Sequence, residues 1–276
     1  MRVMVFGSTG MLGHMVCDVL QNKGIEIIPI TRNIFNPISD PMQKLGALTK
    51  DKAPDVIVNC VGMLVRDSAS SPMNAITVNS LFPHYLSMYA EAEGCYFIHV
   101  STDCVFNGKK GVGYRITDNT DAEDVYGKTK ALAESIRYGL VIRTSIIGPE
   151  LKPNGTGLFH WFMSNPDRQV TGYTDVWWNG VTTLQLATII HGLMQEARIN
   201  GIVHYTGEDV TKYNLLDMMR KIWGKNVQLI KKGDVISNKC LMPSAMFQVK
   251  GQFDMLGDLY RYMRNKPIYE RYMGVI

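Results

Sequence analysis

The sequence predicts an α/β protein: a doubly wound parallel sheet followed by a small C-terminal α/β lobe. Short apolar runs alternate with helical segments through the first half of the 276 residues. A glycine-rich turn directly follows the first apolar run, and the alternation breaks after Pro149, where residues 152–157 are rich in Pro, Asn and Gly. Regular strand–helix alternation is typical of a parallel sheet with right-handed crossovers. We therefore expect a core over residues 1–150 and a lobe over 151–276, partly interleaved with that core.

The first half holds five predicted strands and three predicted helices. The run at 55–61 is continuously apolar, as expected of a strand buried on both faces, and Gly94 and Gly139 provide helix stops. The strands are Arg2–Phe6, Ile25–Ile30, Asp55–Val61, Tyr96–Val100 and Leu140–Ile146, and the helices are Met11–Asn22, Pro72–Gly94 and Val125–Tyr138.

The second half is less regular. It predicts a short aromatic helix at Leu158–Met163, a helix at Val181–Ala197 and a strand at Gly201–Tyr205. An amphipathic helix at Thr211–Trp223 has Thr211 as its N-cap. From Val227 onward, short strands and helices mix.

Composition excludes several classes of protein. Hydrophobic residues make up 46% and charged residues 20%, enough for a packed core. The net charge of +4 comes with no basic stripe, so we expect no nucleic-acid partner. No run approaches the ~18 apolar residues of a membrane span. The N-terminus is typical of a strand rather than a signal peptide, and the five cysteines are scattered as in reduced proteins, so we expect a cytoplasmic location.

The glycine-rich turn is typical of a dinucleotide site. Gly7, Gly10 and Gly13 form a Gly-x-x-Gly-x-x-Gly motif between the first strand and the first helix. Gly7 permits the turn, Gly10 lets a pyrophosphate approach backbone N–H groups, and Gly13 lets the helix pack on the sheet. The motif makes the predicted core Rossmann-like, and the alternative is a strand–helix turn without a ligand.

The end of the second strand favours one dinucleotide. An NAD site has an acidic residue there for the ribose hydroxyls, whereas an arginine suits a 2′-phosphate. No Asp or Glu lies between Ile27 and Ser39, and Arg32 follows the strand. We expect NADP(H), with NAD(H) as the alternative and an ordinary surface role for Arg32 as the other interpretation.

A candidate acid–base pair opens the helix at Val125. Tyr126 and Lys130 are four residues apart and share a helix face. A free tyrosine, with a pKa near ~10, is a poor proton donor at neutral pH, and a neighbouring ammonium would lower that pKa. The preceding strand ends in hydroxyl residues, and a hydroxyl at Thr102 can polarise a carbonyl beyond the strand ends. A solvated helix face and a loop cap are the structural alternatives.

These segments together resemble the extended short-chain dehydrogenases/reductases, most closely the dTDP-4-dehydrorhamnose reductase branch. The resemblance covers residues 1–190 and grows vague beyond them. The matching segments, in chain order, are Gly7–Gly13, Pro54–Cys60, Val78–Asn79, Val100–Gly108, Tyr126–Lys130 and Ile142–Ser145.

The resemblance implies a reductase of nucleotide-sugar metabolism, in dTDP-rhamnose and polysaccharide biosynthesis. It would reduce a 4-keto group on a nucleotide-linked deoxysugar with NADPH. Tyr126 would donate the proton, Lys130 would hold the nicotinamide ribose and tune Tyr126, and Thr102 would orient the keto oxygen. The residues implied to contact or brace the cofactor, besides Tyr126 and Lys130, are Gly7, Thr9, Gly10, Met11, Leu12, Cys60, Val61, Gly62 and Asn79.

The substrate side is less defined. Arg143 lies in a predicted strand and could serve a diphosphate, with a buried ion pair as an equal interpretation. Trp161, Trp177 and Trp178 could stack on a base, although clustered aromatics more often pack in a core. The resemblance places a substrate segment at Asn179–Thr183, and we include Thr182 and Trp178 as candidate substrate contacts.

Two features depart from the family pattern. Cys104 stands where the family has tyrosine, which puts the substrate preference in doubt, and no His or Lys beside it in sequence marks it as a nucleophile. The segment Cys240–Ile276 does not match the family's substrate-lobe pattern.

Alternative functions remain open at this point. A nucleotide-sugar epimerase would keep its nicotinamide bound, and a dehydratase would have Asp-Glu where this chain has Asp103-Cys104. A non-catalytic NADP-binding regulatory subunit is the alternative of a different class. The acidic group Asp121, Glu123 and Asp124 is typical of a helix start, so we expect no metal site. A homodimer is a further expectation.

Overall fold

The computed structural model describes residues 1–273. Residues 274–276, the end of the segment Cys240–Ile276, lie outside the described residues. The strands are β1 (Arg2–Phe6), β2 (Glu26–Ile30), β3 (Val56–Asn59), β4 (Tyr96–Thr102), β5 (Leu140–Thr144), β6 (Ile146–Ile147), β7 (Gln169–Tyr173), β8 (Val176–Trp178), β9 (Val181–Thr182), β10 (Gly201–His204), β11 (Val210–Thr211), β12 (Gln228–Lys232) and β13 (Ser237–Asn238).

The helices alternate with these strands. They are α1 (Gly13–Gln21), α2 (Gln43–Lys52), α3 (Val65–Ser70), α4 (Pro72–Ile76), α5 (Phe82–Ala92), α6 (Val125–Ala133), α7 (Leu158–Ser164), α8 (Thr183–Leu193), α9 (Lys212–Trp223) and α10 (Gln252–Met263). A π-helical segment, Thr77–Leu81, joins α4 to α5, and two 3₁₀ segments lie at Asp103–Val105 and Pro267–Tyr272.

Six parallel strands form the central sheet in the order β10-β5-β4-β3-β1-β2. Side chains of β1 alternate between two buried clusters: Val3 and Val5 pack on the side of α1 and α8, while Met4 and Phe6 pack on the side of α5. Burial on both faces is why this strand is continuously apolar. The predicted doubly wound parallel sheet is confirmed.

Strand order places the candidate ligand edge. From β1 the chain runs outward to β2 and then returns to β3 on the other side of β1. Ligands of open parallel sheets bind beyond the strand ends at such a reversal. The glycine-rich turn follows β1 and the loop from Cys60 follows β3, so both lie at this point.

Several element bounds differ from the predictions. The predicted helix Pro72–Gly94 is divided into α4, a π segment and α5, and its π turn places Asn79 toward the site. The helix after β1 begins at Gly13 because Met11 and Leu12 belong to the turn. The prediction omitted α2, which buries only Leu45 and Thr49 and so has a weak apolar pattern.

Residues after Pro149 contribute to both parts of the molecule. β10 pairs in parallel with β5 and so extends the central sheet, while β8, β11 and β13 form a separate three-stranded sheet. Thr211 caps α9 as predicted, since its side chain accepts a hydrogen bond from the Asn214 N–H at 3.2 Å. Within residues 1–273, no helix is both long and apolar enough to cross a bilayer.

A buried ion pair connects α6 to the sheet. The Arg143 guanidinium on β5 donates to Glu134 at 2.5 and 3.0 Å, and both side chains are almost fully buried. Ser101 on β4 donates to the same carboxylate at 2.6 Å, and His204 on β10 lies 2.8 Å from the guanidinium. Three neighbouring strands are therefore joined to the helix that contains Tyr126.

We expect Arg143→Met to lower the free energy of unfolding by about 3–5 kcal/mol, because it leaves the Glu134 carboxylate buried and uncompensated. Urea denaturation of the native protein and the variant measures the loss. The double variant Arg143→Met/Glu134→Leu should recover most of it. A loss below about 1 kcal/mol, as for a surface pair, would contradict the interpretation.

Candidate active site

The glycine-rich turn forms a cradle at the start of α1. Gly7 adopts φ +76°, and its carbonyl accepts the Gly10 N–H at 2.8 Å. A Cβ at Gly13 would overlap the Gly7 carbonyl oxygen. The absence of that side chain lets α1 begin directly against the turn, with its N-terminus facing the ligand edge.

Two observations indicate that this cradle fits a phosphate group. The hydroxyl of Ser8 is buried and has no hydrogen-bond partner among the described residues. Leu12, at the N-cap of α1, provides no side-chain cap, so no capping side chain blocks the approach of a ligand to the start of the helix. Thr9 is exposed, Met11 is half-buried and Leu12 is buried, so Leu12 would contribute through its backbone.

Arg32 lies next to the cradle. The Gly7 N–H donates to the carbonyl of Ile30 at 3.0 Å, which holds the end of β2 against the turn. Arg32 follows two residues later and is exposed, and no carboxylate within residues 1–273 lies within 4.0 Å of it. Its guanidinium is available for an anion at this edge.

Asn79 braces the loop after β3. Its Oδ1 accepts the Met63 N–H at 2.8 Å, and its Nδ2 donates to the Met63 carbonyl at 3.0 Å and to Thr129 Oγ1 at 3.1 Å. Cys60 and Val61 are half-buried and Gly62 is exposed along this loop. The bracing assigned to Asn79 by the resemblance therefore has a hydrogen-bond basis, linking the loop to α6.

Tyr126 and Thr102 meet where α6 approaches the end of β4. The side chain of Asp124 caps α6 by accepting the Gly127 N–H at 2.8 Å. A Cβ at Gly127 would overlap the carbonyl oxygen of Cys104, so the helix start presses against the residue two beyond Thr102. Tyr126 is half-buried there, close to Thr102, whose hydroxyl donates to Asp103 at 3.1 Å.

The environment keeps Tyr126 protonated. Burial raises the pKa of its phenol, the neighbouring Cys104 and Asp103 add to this, and the Thr102 side chain opposes it. Lys130 is not among the main groups that set this pKa. That Lys130 lowers the pKa of Tyr126 in the cofactor-bound site therefore stays a prediction.

Lys130 points into the protein. Its Nζ donates to the Val100 carbonyl at 2.7 Å and lies 3.3 Å from His99 Nε2. Burial lowers the pKa of Lys130 to about 8, with Glu134 and Cys60 opposing that change. Its charge is therefore titratable at moderately alkaline pH.

Cys104, which stands where the resemblance leads us to expect tyrosine, is a neutral thiol. Burial raises its pKa to about 12, and the Asp103 carboxylate adds to this effect. Thiolate is the nucleophilic form of cysteine, so the side chain contributes a small, apolar boundary beside Tyr126.

Three predicted substrate contacts are structural. Arg143 is 2% exposed and engaged by Glu134 and His204, so the ion-pair interpretation holds and a diphosphate role does not. Trp178 is 4% exposed, and its indole N–H donates to Ser145 Oγ at 2.8 Å, which leaves no face for a base. Thr182 is 1% exposed and caps α8 through the Gln185 N–H.

Sequence reasoning missed two lysines beside the site. Lys212, which starts α9, and Lys239 act electrostatically on Asp103, and Lys239 also acts on Cys104. Neither has a carboxylate within 4.0 Å among residues 1–273. Lys212 Nζ lies 4.9 Å from the Trp178 ring centroid, and burial lowers its pKa to about 8. No motif marks them, because they follow the segment covered by the resemblance.

The three acidic residues before α6 make contacts with nearby residues. Asp124 caps the helix, Asp121 accepts the Asn107 N–H at 2.8 Å, and Glu123 pairs with Lys109. Among the described residues, no group of three His, Cys, Asp or Glu side chains is arranged to hold a metal ion. These carboxylates therefore have structural partners.

The parallel sheet and the glycine cradle, with Thr102, Tyr126 and Lys130 in the predicted order, are those expected of the extended short-chain dehydrogenase/reductase class. The chain belongs to the family described as the RmlD substrate binding domain, whose model matches residues 1–234. The family resemblance expected from the motifs is thereby confirmed.

Curated relatives match the chain over part of their length. The spore coat polysaccharide biosynthesis protein SpsK of Bacillus subtilis is 31% identical over 150 residues, which are 52% of this chain and 52% of that protein. A dTDP-4-dehydrorhamnose reductase of Streptomyces griseus is 34% identical over 134 residues, 48% of this chain and 43% of that protein. The chain spans about half the length of the curated relatives it matches.

Solved structures share the fold. A dTDP-4-dehydrorhamnose reductase from Bacillus anthracis in complex with NADP has a TM-score of 0.86 at 15% identity, over 95% of this chain and 99% of that one. A UDP-glucose 4-epimerase from Thermotoga maritima has a TM-score of 0.78 at 17% identity, over 96% and 99%. At these identities the likeness concerns the fold alone, which reductases and epimerases share.

Gly13→Ala should destabilise the protein by about 1–3 kcal/mol, because the added methyl group overlaps the Gly7 carbonyl and forces the backbone to shift. Thermal or denaturant unfolding measures the loss. Gly192→Ala in α8 is the matched control, since its Cβ would meet nothing within 4 Å. Equal stability of the two variants would contradict the tight contact between the turn and α1.

Proposed function

We propose that the protein is an NADPH-dependent reductase of a 4-keto group on a nucleotide-linked deoxysugar. The observation that carries the proposal is the meeting of Thr102 and the protonated Tyr126 at the ligand edge of the sheet. This is where an open parallel sheet binds its ligands. Relatives named dTDP-4-dehydrorhamnose reductase support the same chemistry.

The residues present fit a dinucleotide. The glycine cradle with the orphaned Ser8 hydroxyl would hold the pyrophosphate, and the unpaired Arg32 would bind a 2′-phosphate. The loop Cys60–Gly62, braced by Asn79, would lie along the cofactor, and Lys130 would hold the nicotinamide ribose. When bound, NADPH supplies the hydride.

Tyr126 would supply the proton. A phenol with a raised pKa stays protonated at neutral pH and gives up its proton only as negative charge develops on the keto oxygen. Thr102 would donate its hydroxyl to that oxygen and orient it, a role in which a buried donor stabilises developing charge. The side chain of Cys104, beside Tyr126 and Thr102, is small and neutral.

The substrate would be anionic. Lys212 and Lys239 place positive charge near Asp103 and Cys104 without carboxylate partners within the described residues. A nucleoside diphosphate sugar carries negative charge that such ammonium groups attract. This charge, together with the proposed role of Tyr126 as proton donor to a keto group, supports a nucleotide-linked keto sugar as the substrate. The reaction would take place in the cytoplasm and serve polysaccharide synthesis.

The dinucleotide preference is tested by binding. We expect NADPH to bind at least about tenfold more tightly than NADH, about 1.4 kcal/mol, and Arg32→Ala to remove that difference. Isothermal titration measures both dissociation constants. Arg137→Ala, another exposed arginine, is the control and should leave the ratio unchanged. Equal binding of both dinucleotides by the native protein would contradict the assignment.

Turnover is tested on a panel of nucleotide-linked 4-keto sugars. Tyr126→Phe should lower kcat at least about 100-fold, as expected for loss of a general acid, while NADPH binding persists. Tyr85→Phe removes a hydroxyl on α5 and should retain activity. NADPH oxidation that survives in Tyr126→Phe would overturn the assigned role.

The same assay separates the alternatives. An epimerase would interconvert sugars without net oxidation of added NADPH. A non-catalytic subunit would bind NADPH, turn over no sugar and copurify with a partner enzyme. Either result would replace the reductase assignment.

A further inference from the structure

Behind the candidate site lies a buried polar chain formed by Asn59, His99 and Lys130. Asn59 and His99 are 0% exposed and Lys130 is 3% exposed. The three side chains come from the end of β3, the middle of β4 and the second turn of α6. Because these side chains are almost fully buried, their polar atoms are expected to have hydrogen-bond partners inside the protein.

The orientation of Asn59 is fixed by the backbone. Its Oδ1 accepts the Val61 N–H at 3.0 Å, so its Nδ2 faces His99 Nδ1 at 3.1 Å. An amide nitrogen offers only protons, and His99 Nδ1 must therefore accept. A neutral imidazole has one protonated nitrogen, so the proton of His99 lies on Nε2.

That proton faces Lys130. His99 Nε2 lies 3.3 Å from Lys130 Nζ, which also donates to the Val100 carbonyl at 2.7 Å. An ammonium has three protons and no lone pair. A protonated Lys130 therefore places its N–H groups against the Nε2–H of His99, and neither group can accept. A neutral amine would accept the Nε2 proton and still donate to Val100.

We propose that Asn59 and His99 are positioning residues that make Lys130 release its proton readily: Asn59 fixes the tautomer of His99, and that tautomer disfavours the Lys130 ammonium. The inference rests on the proposed function, in which Lys130 lies beside the cofactor ribose and Tyr126.

Burial also disfavours the Lys130 ammonium, but the other charged or titratable groups around Lys130 do not. Glu134, one turn along α6, and Cys60, at the end of β3, both favour the ammonium. Glu134 is already paired with Arg143, and Cys60 is a neutral thiol whose pKa is raised by burial. Tyr126 on the same helix is protonated. His99 cannot become the cation instead, because burial, Lys130 and His84 hold its pKa well below the usual range.

The consequence is a charge that depends on pH. Burial lowers the pKa of Lys130 to about 8, and the N–H of His99 opposes the ammonium in the same direction, so Lys130 is charged below that pH and neutral above it. The charge would stabilise the phenolate left when Tyr126 gives up its proton. Reduction should therefore weaken as pH rises through this value.

The tautomer of His99 is measured directly by ¹⁵N NMR of histidine-labelled protein, with His99→Phe used to assign the resonance. We expect a neutral ring protonated on Nε2 from pH 6 to 9. In Asn59→Asp the carboxylate can only accept, so the proton should move to Nδ1. A native ring protonated on Nδ1, a ring that charges near its ordinary pKa, or an unchanged tautomer in Asn59→Asp would overturn the inference.

The Lys130 proton is followed separately by the ¹³Cε shift. Its midpoint should rise by at least about one pH unit in Asn59→Asp, where Nε2 becomes an acceptor. It should also rise in His99→Phe, which removes the opposing N–H without adding charge. A rise in Asn59→Asp alone would be an effect of added charge and would overturn the tautomer argument.

These readouts need no turnover. A native ring protonated on Nδ1 overturns the inference even if Asn59→Asp does not fold. A protein with the expected tautomer that reduces no keto-sugar would overturn the proposed function and leave the Asn59–His99–Lys130 arrangement standing.

Discussion

The contact between the start of α6 and the end of β4 is the constraint on which the site depends. Gly127 has no side chain, so the helix can press against the Cys104 carbonyl. This approach brings Tyr126 to Thr102 and directs Lys130 under the sheet to Val100. The Glu134–Arg143 pair holds the other end of the same helix against β5. A short polar helix is thereby positioned by one close contact and one buried ion pair.

Much of the fold is predictable because burial on two faces leaves a plain pattern. β1, β3 and β4 are mostly apolar, and their bounds agree with the structure within two residues at either end. α2 lacks such a pattern because it buries only Leu45 and Thr49. The π segment at Thr77–Leu81 has no signal in spacing alone, since the whole stretch is compatible with one helix.

Prediction of the site succeeds where chemistry is local and fails where it depends on tertiary burial. The glycine cradle and the Tyr126–Lys130 spacing are set by a few adjacent residues. Arg143 and Trp178 look like ligand contacts in sequence, but packing from α6, β10 and α9 encloses them. The direction of Lys130 was missed for the same reason, because only the assembled sheet places His99 Nε2 beside it.

Burial is the main cause of the shifted pKa values of the titratable groups in the site. The thiols of Cys60 and Cys104 stay neutral, while Lys130 and Lys212 are cations held close to losing their protons. Anionic ligands at either lysine would favour the charged form. Binding of a dinucleotide and a sugar nucleotide should therefore raise the positive charge of the site at the moment when Tyr126 needs it.

The proposed reduction of a keto sugar by NADPH can be tested by following the transferred hydride. The protein is incubated with NADPH deuterated at the transferable position of the nicotinamide and with a nucleotide-linked 4-keto-6-deoxy sugar, and the product sugar is analysed by mass spectrometry. We expect one deuterium in the product, on the carbon that held the keto group, together with oxidised cofactor. A sugar product without deuterium, or bound cofactor that is never oxidised, would contradict it.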